Sequence, residues 1–502
     1  MSALADRLRE IKRAPSGKQV CAFFDYDGTL IEGFSATAIL RARLRSFEFT
    51  GGELLDGLMI ALRGCTSEQD YAEVLEATRP AFAGRSYADL LATGEELFKK
   101  DTAAKLRPQM WQIIRAHRAK GHRIVIASSA TRFQIEPIAE QIDADHALAT
   151  DVEVVDGIAT GRILGRPLWG PGKAAAVRRL AAEHDLDLAS SFAYSDGNED
   201  VPYLEAVGHP AAVSPQSGLR AVAHDRGWPI LDLRNPNYGV LGMAARTGAF
   251  YGSFLGGAAV GFARGLLAPG DGTQAMQESI SSSIDTGFAL AGVRVDVLDG
   301  REHLTSARPC VFVFNHQSKL DLPVMIHLVR DHATGVAKKE IRDLPLFGRI
   351  LQVGGVAFID RADAGRAIEQ LEPVVRKIED EQFSLVVAPE GTRSATPRIG
   401  PFKKGPFHIA MRAGVPVVPV VLRNAGELMW RGAQLIKPGT VEVRVLPPID
   451  TSSWVPEKAG EYAEQVRQQF LDALVDWPVT AFADGRMTRT MGVFEWQETE
   501  SD

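Results

Sequence analysis

Short apolar runs, each ending on a polar turn, recur along this chain and alternate with stretches of helical periodicity. Gln19–Phe24, His122–Ala127, Phe192–Ser195, Val311–Phe314, Gly354–Ile359, Leu385–Ala388, Val415–Val420 and Val441–Val445 are rich in β-branched and aromatic residues. Continuous apolar runs of this length predict strands buried on both faces, as in parallel sheets. Between them, Leu106–Lys120 (closed by Gly121), the Ala-rich Ala174–Ala182, the apolar stretch after Asp321 and Glu457–Val475 predict helices. The expected fold class is α/β. The first half should be a doubly wound parallel sheet with a small helical cap, and the second a further α/β domain. In such sheets chemistry gathers at the carboxyl ends of the strands.

Two segments break the alternation. Thr247–Ala263 carries no charge over 17 residues, is rich in Gly and Ala, and is flanked by Arg246 and Arg264. A bilayer span needs about 20 predominantly apolar residues, so this run falls short. With the weakly apolar Ser279–Val295 it predicts an in-plane or shallowly inserted hairpin on a membrane surface. The alternative is a buried helix that packs the two domains together. The expected organisation is therefore a first domain over 1–233 with its cap over 33–101, a hairpin linker over 234–291, a second domain over 292–478, and a tail over 479–502.

Composition narrows the function classes. The 502 residues carry a net charge of −7, which argues against nucleic acid as a partner. Three cysteines (Cys21, Cys65, Cys310) form neither a disulfide framework nor a zinc spacing, as suits a reducing compartment. Met1–Lys18 lacks an apolar core, so no signal peptide is expected there.

The polar turns carry candidate chemistry. The first strand leads into Asp25-Tyr26-Asp27-Gly28-Thr29. Two carboxylates two apart at a strand end suit phosphoryl transfer, one attacking phosphorus and the other protonating the leaving oxygen. Ser128-Ser129 ends the second strand with hydroxyls able to hold a phosphate oxygen, and Lys173 lies near a helix N-terminus. Asp196-Gly197-Asn198-Glu199-Asp200 ends the third, and its paired carboxylates suit Mg²⁺. These motifs resemble the haloacid dehalogenase phosphatase superfamily, nearest the phosphoserine phosphatase-like branch, over about Val20–Asp232. The resemblance implies Asp25 as nucleophile, Asp27 as acid/base, Ser128 on phosphate and Lys173 against the phosphoaspartate. It further implies Mg²⁺ at Asp196 and Asp200, with Asp25 and Asp27 in the metal set. Glu199 departs from the asparagine often found there. Arg41, Arg43, Arg45 and Arg63 of the cap are candidates for a substrate anion, or a solvated face.

In the second half, Val311–Phe314 ends on Asn315-His316-Gln317-Ser318-Lys319-Leu320-Asp321. On one continuous helix His316 and Asp321 would sit about 140° apart. With His316 at a strand end and Asp321 in the first helical turn, the loop can return the carboxylate to the imidazole. That leaves the other ring nitrogen as a base, and a substrate hydroxyl as the nucleophile. Downstream lie Phe358–Arg361, Pro389-Glu390-Gly391-Thr392-Arg393-Ser394 and the proline-interrupted Val415–Pro419. These four ordered blocks resemble the glycerophospholipid (lysophosphatidic acid) acyltransferase family over about Val293–Pro448. The resemblance implies a lysophospholipid acceptor, an acyl thioester donor (coenzyme A or acyl carrier protein), His316 as base and Asp321 as its orienter. Arg361 and Glu390, Gly391, Thr392 and Arg393 would bind the acceptor, with Glu390, being anionic, on a hydroxyl or an arginine. Pro416 and Pro419 are expected to shape a strand edge. The whole chain is then expected at the cytoplasmic face of a membrane, peripheral or monotopic. Two alternatives stay open: the first half as a non-catalytic module binding a phosphorylated ligand, and glycerol 3-phosphate or a glycosylated or inositol lysolipid as the acyl acceptor.

Overall fold

The computed structural model describes residues 3–39, 41, 69–71, 73, 76, 79, 82–233, 238–267, 272–344, 347–359, 372–475, 477, 480–483 and 486–489. The chain divides into two compact units, one of Met1–Asn235 with Trp477–Asp502 and one of Pro236–Asp476.

In the first unit, β1 (Cys21–Phe24), β2 (Arg123–Thr131), β3 (His146–Thr150), β6 (Phe192–Ser195), β7 (His209–Val213) and β8 (Ile230–Leu231) form one parallel sheet in the order β3-β2-β1-β6-β7-β8. Every residue of β1 and of β6 is buried, because helices cover both faces, and so the sequence shows apolar runs and not alternation. The strand order reverses between β1 and β6, which opens a crevice at their carboxyl ends. Helix α1 (Ala3–Arg13) is more than an amphipathic cover. Its buried Arg7 donates to the Tyr194 hydroxyl at 3.0 Å and to the His209 carbonyl at 2.7 Å, so it ties β6 to β7.

Of the expected cap, α2 (Tyr87–Lys100) is described. A hairpin of β4 (Val152–Val155) and β5 (Ile158–Ile163), which the apolar pattern did not predict, packs beside it around Phe82, Leu90, Phe133 and Ala159. Arg41 pairs with Asp101 at 3.2 Å, while Arg43, Arg45 and Arg63 lie outside the described residues.

The second unit is a seven-stranded sheet in the order β12-β11-β13-β10-β14-β15-β9. Its strands are β9 (Val293–Asp299), β10 (Val311–Phe314), β11 (Ala333–Lys338), β12 (Ala357–Ile359), β13 (Ser384–Val387), β14 (Val417–Leu422) and β15 (Gly439–Val445). Only the β14–β15 pairing is antiparallel. Two expectations need correction here. Pro419 is no edge residue: it sits within β14, between β10 and β15. Proline has no N–H to return a bond, but its carbonyl still accepts Leu446 N at 2.9 Å, which keeps the strand paired there. The weakly apolar stretch expected to run to Val295 is a helix only to Ala291, beyond which Val293–Val295 enters β9.

That helix, α4 (Gly272–Ala291), is paired with α3 (Val240–Leu267). Close approach depends on small residues: a Cβ at Gly257 would lie 2.3 Å from Ser283 Cβ, and one at Gly261 2.8 Å from Met276 Sδ. Met276, Ile280, Ile284 and Phe288 of α4 join Phe312, Val324 and Val420 in the core of this unit. The outer face of α3 exposes Leu241, Tyr251, Leu255, Val260, Leu266 and Leu267. Among the described residues no helix is long and apolar enough to cross a membrane.

Candidate active sites

The first site lies at the strand-order reversal of the first unit. Asp25 follows β1, and its amide donates to Tyr194 O at 3.0 Å, which joins the loop to β6. Lys173, near the N-terminus of the helix Pro171–His184, is buried between Asp25 Oδ1 at 3.0 Å and Asp200 Oδ2 at 2.5 Å. Ser195 Oγ also donates to Asp200 Oδ2, while Asp200 Oδ1 is buried with no hydrogen-bond partner among the described residues. Thr29 Oγ1 donates to Asp196 Oδ1 at 3.2 Å. Gly28 has φ +75°, and a Cβ there would fall 2.1 Å from Asp196 Oδ2, so only glycine fits.

Burial dominates the electrostatics. It pushes Asp25 well above the usual carboxylate range against the pull of Lys173, and lifts Asp196 to about 7 and Asp27 to about 6. Burial would lower the Lys173 ammonium, but Asp200 and Asp25 on either side hold it well above its ordinary value. Asp27 points to a separate partner: Ser35 donates to it through N at 2.6 Å and Oγ at 3.0 Å, and Gln134 Nε2 donates to Ser35 Oγ at 3.0 Å. Ser128 is buried, and its Oγ accepts Ala130 N at 3.2 Å. Ser129 presents its carbonyl to Tyr71 and Thr150.

Among the described residues no three acidic, His or Cys side chains form a closed metal cage. The donor set still fits a hard divalent cation, because Asp25 and Asp200 flank a single ammonium, the Asp196 carboxylate lies near enough to raise Asp25 further, and one Asp200 oxygen is orphaned. Sequence reasoning missed Ser35, Ser195 and Arg107. Arg107 is buried and donates through Nε and Nη2 to Gly28 O at 3.2 and 3.1 Å, holding the loop from behind. Only the position of Ser195, at the end of β6, carried a local signal.

The second site is built on β10, which lies in the sheet between β13 and β14 and is wholly buried. Asn315 exchanges two 2.8 Å hydrogen bonds with the backbone of Leu422 and anchors the turn to β14. Asp321, fully buried in the first turn of the helix Asp321–Val329, accepts three hydrogen bonds on Oδ2. The donors are His316 Nδ1, Gln317 N and Ser318 N, each at 2.7 Å. The loop therefore does bring the two residues together. A carboxylate on Nδ1 sets that nitrogen as the donor and leaves Nε2 as the lone-pair nitrogen. Among the described residues Nε2 has no hydrogen-bond partner, and the His316 side chain is 25% exposed.

Among the described residues Glu390 is held by backbone donors, accepting His316 N on Oε1 at 2.7 Å and Gly400 N on Oε2 at 2.9 Å. Burial raises it to about 7 despite these bonds. Ser394 N donates to His316 O at 2.8 Å, so the turn after β13 grips the His316 backbone from both sides. Gly391 has φ +71° and sits against Lys403, and Thr392 is exposed. Arg393 is half-buried, with Nη1 on Arg431 O at 3.3 Å. Arg361 lies outside the described residues. Sequence reasoning missed Met429–Gln434, which crosses this turn and had no motif to mark it.

Comparison with known proteins gives the same division. Residues 22–205 match the haloacid dehalogenase-like hydrolase family and residues 296–423 the Acyltransferase family. The phosphoserine phosphatase SerB1 of Mycobacterium tuberculosis is 36% identical over 228 residues, 44% of this chain and 74% of that protein. A 1-acyl-sn-glycerol-3-phosphate acyltransferase of Saccharomyces cerevisiae is 36% identical over 187 residues, 37% of this chain and 61% of that protein. The chain thus spans about three fifths of that acyltransferase's length. The crystal structure of the acyltransferase PlsC from Thermotoga maritima is 26% identical, covering 47% of this chain and 96% of that one with a TM-score of 0.40.

Proposed function

This chain belongs to the haloacid dehalogenase-like hydrolases through its first half and carries an Acyltransferase-family domain in its second; from that premise we propose that it acylates lysophosphatidic acid to phosphatidic acid and also hydrolyses a phosphate monoester. The observation that carries the first activity is the 2.7 Å contact from His316 Nδ1 to Asp321, with Nε2 left without a partner among the described residues. His316 Nε2 takes the proton from the acceptor hydroxyl as its oxygen attacks the thioester carbonyl. The tetrahedral intermediate collapses by breaking the carbon–sulfur bond, and the imidazolium returns the proton to the leaving thiolate. Asp321 holds the ring and balances the imidazolium charge. Arg393, with Arg361, supplies guanidinium donors to the acceptor phosphate. The donor is an acyl thioester of coenzyme A or of an acyl carrier protein.

In the first unit Asp25 attacks phosphorus, and the leaving alkoxide takes a proton from Asp27, whose raised value suits an acid near neutral pH. Water then cleaves the aspartyl-phosphate, with Asp27 as base. Lys173 offsets charge at Asp25, and Ser128 offers its hydroxyl to phosphate. Mg²⁺, held by Asp25, Asp196 and Asp200, would supply Lewis-acid charge stabilisation when bound. The exposed apolar face of α3 supports an in-plane seat at the cytoplasmic face of a membrane, where acyl acceptors reside.

The test of the acyl transfer is thiol release from acyl-coenzyme A by the purified chain with and without lysophosphatidic acid. Release should require the acceptor and disappear in His316→Ala. Release that survives that substitution would sink the assignment.

A further inference from the structure

Met429–Gln434 lies across the His316 turn, and none of the four sequence blocks contains it. Ser318 Oγ donates to Met429 O at 2.6 Å, and Ser318 and Trp430 form an antiparallel bridge. Trp430 Nε1 donates to Ala395 O at 2.9 Å, which fastens the segment to the turn after β13. This brings three cations from three loops together. Lys319 Nζ reaches Ala433 O at 3.0 Å and Gln434 Oε1 at 3.2 Å. Arg431 Nη1 donates to Arg393 O at 3.0 Å, and Arg393 Nη1 returns the bond to Arg431 O at 3.3 Å.

Among the described residues none of the three has a carboxylate partner, although other arginines of this unit do: Arg423 pairs with Glu442 and Glu427, and Arg444 with Asp299. Each guanidinium has five N–H donors, and these contacts leave most of them unused. The cluster is half-buried. Burial first, and then the Arg393 charge, push both Lys319 and Arg431 below their ordinary values. Like charges gathered out of water raise the free energy of the free protein, and a bound anion relieves that. Arg393 adjoins Ser394, which binds the His316 carbonyl, and Lys319 is three residues beyond the base. An anion held here would therefore sit on the turns that carry His316.

We propose that Lys319 and Arg431 join Arg393 in a cradle beside His316 that binds a phosphate monoester of the substrate. The proposal rests on the acyl-transfer reading above. That reaction offers two such groups, the acceptor's headgroup and the 3′-phosphate of coenzyme A. Both present the same oxygens to a fork of arginine donors and a lysine point charge.

The test uses the full chain as wild type, Lys319→Gln, Arg431→Gln and the charge-keeping Lys319→Arg and Arg431→Lys. Thermal unfolding is followed with glycerol 3-phosphate and, separately, with adenosine 3′,5′-bisphosphate. The first unit's site is untouched in all five proteins, so any Tm shift belonging to it stays constant. One ligand should raise Tm in wild type and in the charge-keeping variants, and at least half of that shift should vanish in either Gln variant. The responding ligand identifies the source of the phosphate. KM for the corresponding substrate should rise about tenfold in the Gln variants with kcat within about twofold. Shifts equal in all five proteins, or absent in all, would overturn the proposal. A charge-dependent shift in a protein that transfers no acyl group would uphold the cradle and reject the acyl-transfer reading instead.

Discussion

One oxygen organises the second site: Asp321 Oδ2 accepts the His316 ring and two backbone amides at 2.7 Å each. Asp321→Asn keeps the shape but replaces the charge that sets the tautomer and steadies the imidazolium. We expect kcat for acyl transfer to fall on the order of 10³-fold or more with KM little changed. Initial rates of thiol release check this, and a loss under tenfold would contradict the role. Glu390 allows a pH test. Its carboxyl titrates at 4.5 unperturbed and near 7 in the fold, so between those values the folded chain binds the extra proton. Its contribution to stability therefore falls as pH rises from about 4.5 to 7, by on the order of 3 kcal/mol. Denaturant unfolding at pH 5 and pH 7.5 should show that component in wild type and lose it in Glu390→Gln; equal slopes would contradict the assignment.

At the scale of elements, the β1 loop and the α3–α4 pair depend on glycine for opposite reasons. Gly28 is needed for backbone conformation and for the room it leaves Asp196; Gly257 is needed only for helix approach. Gly257→Leu should separate α3 from α4 and cost about 1–3 kcal/mol through overpacking, visible as a lower unfolding midpoint. The outer face of α3 calls for a different measurement. Leu255→Glu with Leu266→Glu, both exposed, should leave the folded chain intact while reducing cosedimentation with anionic phospholipid vesicles severalfold. Vesicle binding equal to wild type would remove α3 as the membrane face.

At the scale of the molecule, each unit has its own sheet, core and candidate site. The two sites share no partner among the described residues, and mutations without shared partners act nearly independently. Asp25→Asn should abolish turnover of a phosphomonoester while acyl transfer stays within about twofold, and His316→Ala should do the reverse. Assaying both activities on both variants checks this, and loss of both activities in either variant would refute independence.

What the sequence determined by itself is the set of apolar runs, and with them strands β1, β2, β6, β10, β12, β13, β14 and β15 but not β3, β7, β8, β9 or β11, together with the α/β class and the turns bearing Asp25, Asp196, His316 and Glu390. Those properties are local: a buried parallel strand must be apolar throughout, and a polar turn must follow it. The Glu390 contacts, the Ser35 hold on Asp27, the Arg107 brace and the meeting of Lys319, Arg393 and Arg431 depended on the tertiary structure. Glu390 lies 74 residues from His316, and Arg107 lies 79 from Gly28. The β4–β5 hairpin was also illegible, because its strands are short and partly exposed and so show no apolar run. Proximity of this kind is set by how sheets and loops pack, and no short-range pattern encodes it.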